Sequence, residues 1–88
     1  MPPVFSIIIP TYDQADFLKI ALDSVLTQTF QDYEVIIVNN FSNDHTLEDV
    51  AQYDDSRIWS INFNNNGVIG AGRNEGIRRS QAEFIAFL

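Results

Sequence analysis

Glu34-Val-Ile-Ile-Val-Asn-Asn-Phe-Ser-Asn-Asp44 decides the fold. Val35 to Val38 are β-branched without a break and show no polar alternation, which predicts a strand covered on both faces, as strands of parallel sheets are. Asn39, Asn40, Ser42 and Asp44 then fall at a strand's carboxyl end. In open α/β sheets that edge is where ligands bind.

Working outward, Val4-Phe-Ser-Ile-Ile-Ile9 is a second near-continuous apolar run. Pro10 closes it, because proline lacks the N–H that a central strand needs, and Thr11-Tyr12-Asp13 becomes another loop at a strand's carboxyl end. Between the two runs, Leu18, Ala21, Leu22, Val25 and Leu26 recur at the spacing of one helix face, with Asp13 as the candidate cap and Asp16 favouring the positive end of the dipole. Two buried strands separated by a helix make a right-handed βαβ unit and a parallel sheet. Beyond the central stretch, a helix from Asn43 or Asp44 carries Leu47, Val50 and Ala51 on one face. Its early acids, Asp44, Glu48 and Asp49, occupy the positive helix end that an anion would otherwise use. Ile58 to Phe63 alternates, with Trp59, Ile61 and Phe63 on one side, as an outer strand does. Asn66-Gly67 has the composition of a hairpin turn, but Gly70-Ala-Gly72 makes a poor strand, so Val68 to about Ser80 is a third helix. Phe84 to Leu88 begins a fourth buried strand. The expectation is an incomplete domain, residues 1–88 being the amino-terminal portion of a longer one.

Twelve acids against five bases give a net charge of -7, which disfavours nucleic acid and anionic membrane surfaces as partners. Cysteine is absent, which removes a disulfide framework and thiolate metal sites. Met1-Pro-Pro-Val leads straight into a strand with neither a basic segment nor a long apolar run, so the reading is a cytoplasmic protein. The sequon Asn40-Phe41-Ser42 is accordingly set aside.

The glycines Gly67, Gly70, Gly72 and Gly76 do not make a dinucleotide fingerprint. They follow the third strand rather than the first, and the last falls one position late. Small residues that let a helix pack closely on the sheet or on a ligand are the better reading. Arg73 beside them is either a solvated surface arginine or a fork for a diphosphate oxygen or a base carbonyl. Arg78 and Arg79 fall on later, exposed turns, and His45 is a helix-start residue with no second ligand at metal spacing. No nucleophile, base and acid can be assembled into a catalytic set, so no catalytic residue and no metal ligand is assigned.

Phe5-Ser-Ile-Ile-Ile-Pro-Thr-Tyr12, Ala21-Leu-Asp-Ser-Val-Leu-Thr-Gln-Thr29, the stretch from Glu34 to Asp44, Asn66-Gly67 and Ala71-Gly-Arg-Asn-Glu-Gly-Ile77 together resemble the amino-terminal half of family 2 glycosyltransferases. The resemblance covers nearly the whole chain. It implies an α/β, Rossmann-like three-layer sandwich, a truncated GT-A fold with a parallel sheet of order 3-2-1-4, and a nucleotide-diphosphate sugar as ligand. The sheet reverses between strands one and four, so the Pro10-Thr-Tyr-Asp13 loop forms one wall of the crevice. The other wall begins after Leu88, where the family carries its metal-binding Asp-x-Asp motif. A divalent metal, Mn or Mg, is thus expected in the full-length protein, with its ligands beyond this chain. Carried over residue by residue, Thr11, Tyr12 and Asp13 line the base and ribose in the loop that Pro10 opens, Asn39 and Asn40 belong to the base wall, and Arg73 approaches the base or diphosphate.

Asn40 stands where many members have an Asp that accepts the N3 proton of uracil. An amide both accepts and donates, so Asn40 suits the N3–H and a carbonyl of uracil or thymine, whereas guanine's adjacent donors suit a carboxylate. The expectation is a uridine or thymidine diphosphate sugar, inverting transfer as the resemblance implies, and an inactive isolated chain. The alternative is a non-catalytic α/β nucleotide- or partner-binding module. An exposed fourth strand also offers an edge for self-association.

Overall fold

The computed structural model describes residues 2–88. Strand β1 (Phe5–Thr11) is followed by α1 (Ala15–Thr27), β2 (Tyr33–Asn39), α2 (Thr46–Ala51), β3 (Ile58–Asn62), α3 (Ile69–Arg79) and β4 (Phe84–Phe87). All pairings are parallel and the strand order is β3-β2-β1-β4. Every residue of β2 is buried, as its unbroken apolar run requires of a strand with neighbours on both edges and helices on both faces.

Alternate side chains of β1 and β2 build two cores. Ile7, Ile9, Val35 and Ile37 face α1, which contributes Leu18, Leu22 and Val25, and Val50 and Tyr53 pack alongside. Ile8, Ile36 and Val38 face the other way, with Trp59, Ile61 and Phe63 packed against them. Helix α3 covers this second face, where Gly72 and Gly76 lie against Val38 and Ile8. The result is the expected helix–sheet–helix sandwich. No helix among the described residues is long and apolar enough to cross a membrane.

Three local expectations are corrected. β4 is not buried, since it is an edge strand with Phe84 and Phe87 51% and 45% exposed. Pro10 does not end β1: it pairs with Val38, and Thr11 continues the ladder opposite Asn39. Successive residues of β1 bond to opposite neighbours, since Thr11 accepts from the Asn40 N–H while Ile8 accepts from the Leu88 N–H. Pro10 shares the parity of Ile8, so its missing donor faces the β4 side beyond the last pairing, Ile8 with Phe87, and costs the sheet nothing. In α2 the inward face is Thr46, Asp49 and Val50, whereas Leu47 is 48% exposed. Thr46 is buried because Asp44 accepts both its N–H and its hydroxyl.

Candidate functional site

Loops at the carboxyl ends of β1, β2 and β3 converge on one edge of the sheet. The first two are latched together. The Asp13 N–H donates to Ser42 Oγ at 3.0 Å, and Asp13 Oδ1 accepts from the Asn43 N–H at 2.6 Å. Asp44 reaches back so that Oδ2 accepts the Ala15 N–H at 3.0 Å, while Oδ1 takes the Thr46 N–H at 3.1 Å. Asp44 therefore serves the starts of α1 and α2 together. The expected cap at Asp13 is corrected accordingly: Gln14 holds the N-cap position of α1 and makes no side-chain cap bond. The Thr46 hydroxyl, then the Ala15 and Thr46 N–H groups, hold the Asp44 carboxyl below its ordinary pKa. Beneath the latch, buried Asn39 donates to Asn62 Oδ1 at 3.3 Å and accepts from the Ser42 N–H at 3.1 Å.

Backbone strain gathers at the same edge. Asp13, Phe41 and Asn66 have positive φ without being glycine, each in a different one of the three loops, a distribution characteristic of ligand-binding edges. In the third loop the Val68 N–H returns to the Asn65 carbonyl at 2.8 Å. Asn66 and Gly67, at φ 52° and 81°, form the centre of that turn. The hairpin-type turn foreseen at Asn66-Gly67 is thus present, but it feeds a helix.

Between the loops and α3 lies a cleft of about 390 Å³, lined by Pro10, Thr11, Tyr12, Gln14, Asn40, Asn65, Gly67, Arg73 and Leu88. The cleft therefore brings together Pro10, Thr11, Tyr12, Asn40 and Arg73 from the sequence-derived set. Asp13 and Asn39 lie outside the lining, committed to the loop latch. Leu88, Gln14, Asn65 and Gly67 are additions that sequence reasoning missed. Only the turn-forming Asn64-Asn-Asn-Gly67 cluster hinted at the last two. Tyr12 is half exposed with its ring available, and the Arg73 guanidinium lies 5.6 Å from the centre of the Phe87 ring. Asn40 Oδ1 accepts the Asn65 N–H at 3.2 Å, joining the second loop to the third. Among the described residues the lining contains one arginine and no Asp or Glu side chain, although the chain as a whole carries a charge of -7.

Three other basic groups are paired away from the cleft lining. Arg78 and Arg79, expected to be solvated, both pair with Glu75 on their own helix. His45 sits at the N-cap of α2, with Nδ1 2.7 Å from Asp49 Oδ2, and that contact raises its pKa.

A family model, Glycosyl transferase family 2, matches residues 6–88. The chain belongs to glycosyl transferase family 2. Among its family 2 relatives, an uncharacterized glycosyltransferase of Rickettsia typhi, RT0329, is 36% identical over 98% of this chain and 26% of its own length. The putative teichuronic acid biosynthesis glycosyltransferase TuaG of Bacillus subtilis is 34% identical, over 98% of this chain and 35% of its own length. The chain thus spans about a quarter to a third of the length of these two relatives. The crystal structure of S. aureus TarS 1-349 in complex with UDP-GlcNAc superposes with a TM-score of 0.87 at 30% identity, over 97% of this chain and 26% of that TarS chain. The family 2 chain accordingly has the GT-A architecture. Among its described residues, however, no three His, Cys, Asp or Glu side chains lie close enough to hold a metal. The divalent metal implied by the resemblance therefore has no ligand set in this cleft.

Proposed function

We propose that this chain is the amino-terminal, nucleotide-sugar-binding part of a glycosyltransferase that uses a uridine or thymidine diphosphate sugar, with inversion at the transferred carbon. The observation that carries the reading is the cleft's charge. In a chain of net charge -7, the lining at the sheet's carboxyl edge has Arg73 and no acid. A low-dielectric cleft with one sign of charge concentrates a ligand of the other sign. Tyr12 offers a ring face to a base, Thr11 and Gln14 offer polar groups to a ribose, and Arg73 is placed for a diphosphate oxygen. TarS, similar over nearly all of this chain, is in complex with UDP-GlcNAc, which supports a uridine nucleotide here.

Within this proposal the residues of the chain bind and orient the donor. The Asp13 to Asn43 and Asp44 to Ala15 bonds hold the first two loops in register, so the base wall is preorganised. A divalent metal would neutralise the departing diphosphate, and we propose that its ligands lie outside residues 1–88. No carboxylate lines the cleft to take a proton from an acceptor, so the isolated chain is expected to transfer no sugar.

Calorimetric titration of the full-length protein tests the assignment. UDP and dTDP should bind more tightly than GDP. Arg73→Ala should weaken UDP by about tenfold, the scale of one charge-assisted contact of ~1.4 kcal/mol, while changing uridine binding little. Tighter binding of GDP than of both pyrimidine nucleotides would refute the base assignment, and equal losses for UDP and uridine would refute the role of Arg73.

A further inference from the structure

The amide of Asn40 has a fixed orientation. A backbone N–H only donates, so the bond from the Asn65 N–H at 3.2 Å requires the oxygen of Asn40, not its nitrogen, to face the third loop. The nitrogen Nδ2 makes no hydrogen bond to any described residue, and half-buried Asn40 lines the cleft. Its main chain is held too, since the Asn40 N–H donates to the Thr11 carbonyl at 3.0 Å. Rotating the amide by half a turn would set two donors against each other at Asn65. Such an unpaired, partly buried contact costs about 1–3 kcal/mol. The free end of Asn40 is therefore a donor.

We infer that Asn65 fixes Asn40 as a hydrogen-bond donor toward the base, so that the cleft reads the O2 carbonyl shared by uracil and cytosine and accepts cytidine as well as uridine diphosphates. This inference rests on the nucleotide-binding reading above and widens its set of bases: with Oδ1 turned to Asn65, residue 40 is inferred to leave unread the N3 proton that uracil has and cytosine lacks. A carboxylate at the same position would keep the Asn65 N–H and turn an acceptor to the base. It would favour uracil through its N3–H and repel the N3 lone pair of cytosine. Asn65 is thus a positioning residue that sets the sign of the contact made by its neighbour.

The experiment measures dissociation constants of UDP and CDP for the full-length protein and for Asn40→Asp, whose thermal unfolding is recorded alongside. The expected result is CDP within about threefold of UDP for the wild type. In Asn40→Asp, the ratio of CDP to UDP dissociation constants should rise about tenfold or more. A wild-type preference for UDP of tenfold or more would overturn the donor assignment while leaving the nucleotide site in place. An unchanged ratio in Asn40→Asp would overturn the role of residue 40. Failure of both nucleotides to bind the wild-type protein would overturn the site itself, and this inference with it.

Discussion

Gly76 brings α3 against Ile8 of β1, and adding a single methyl group there has a calculable consequence. A Cβ at position 76 would lie 2.6 Å from Ile8 Cγ2, 3.1 Å from Cδ1 and 3.2 Å from Cγ1. Ile8 is fully buried on the strand between β2 and β4. The closest atom is a branch methyl whose position χ1 alone controls, so it cannot swing away as the end of a flexible chain would. Overpacking of this kind costs about 1–3 kcal/mol, and the close contact argues for the upper half. Alanine in a helix recovers about 1 kcal/mol relative to glycine. The net expectation for Gly76→Ala is destabilisation by about 1–2 kcal/mol. Gly72, one turn earlier, is the internal control, since a Cβ there would meet Val38 Cγ1 at 3.6 Å and Pro10 Cβ at 3.9 Å, ordinary contact distances. Gly72→Ala should therefore be neutral or stabilising by up to about 1 kcal/mol. Urea unfolding followed by far-ultraviolet circular dichroism separates the two variants, with midpoints moving in opposite directions. In an Ile8→Ala background the obstructing atoms are gone and Gly76→Ala should instead stabilise. A Gly76→Ala midpoint as high as that of Gly72→Ala would refute the reasoning.

Two further outcomes follow from buried or paired carboxylates. Glu34, buried at the amino end of β2, accepts from Ser6 on β1, from Trp59 Nε1 at 3.2 Å and from the Gln81 N–H at 2.7 Å; Glu34→Ala leaves these donors unpaired and should cost about 3 kcal/mol in urea unfolding, with Glu34→Gln recovering part of it. Asp55 has its pKa lowered to about 2, chiefly by the Arg57 side chain. A depressed carboxyl contributes above its unfolded value and loses that contribution as pH falls through the folded one. Asp55→Asn should therefore be less stable than wild type by up to about 1 kcal/mol at neutral pH, with the difference closing between about pH 4 and 2 in thermal scans.

The layers were legible wherever one physical requirement outweighed the rest. Val35 to Val38 has no alternative to a strand covered on both faces, and Leu18, Leu22 and Val25 can share one surface only on a helix. Pro10 was misjudged because a proline's cost depends on which neighbour its nitrogen faces, and that parity is set by the pairing with β2 and β4 rather than by local sequence. Leu47 was misjudged because α2 has only six residues, too few for periodicity to fix a face. Asp44 turned the inward face by about one position when it satisfied the Thr46 hydroxyl, letting a polar residue be buried where a leucine was expected. Asn65 was invisible for a different reason. Its bond to Asn40 crosses 25 residues between two loops, and neither loop contains a pattern that names the other.

The cleft's charge shows how such long-range pairing makes the site. Asp13 and Asp44 both belong to the loops at the sheet's carboxyl edge, and by sequence alone they would load that edge with negative charge. Asp13 instead turns Oδ1 to the Asn43 N–H of the neighbouring loop, and Asp44 gives both oxygens to the Ala15 and Thr46 N–H groups. These bonds orient the two carboxylates into the latch and away from the cleft lining. Glu75, the acid on α3 nearest in sequence to Arg73, is taken by Arg78 and Arg79. Among the described residues Arg73 is thereby left as the one basic side chain of the lining, with no Asp or Glu side chain across it. The acids at the start of α2 also occupy the helix end that would otherwise attract phosphate. Loop stability and ligand polarity are therefore one arrangement: the bonds that latch the loops are those that keep the cleft free of anions, and breaking the latch at Asp13 or Asp44 would disturb both.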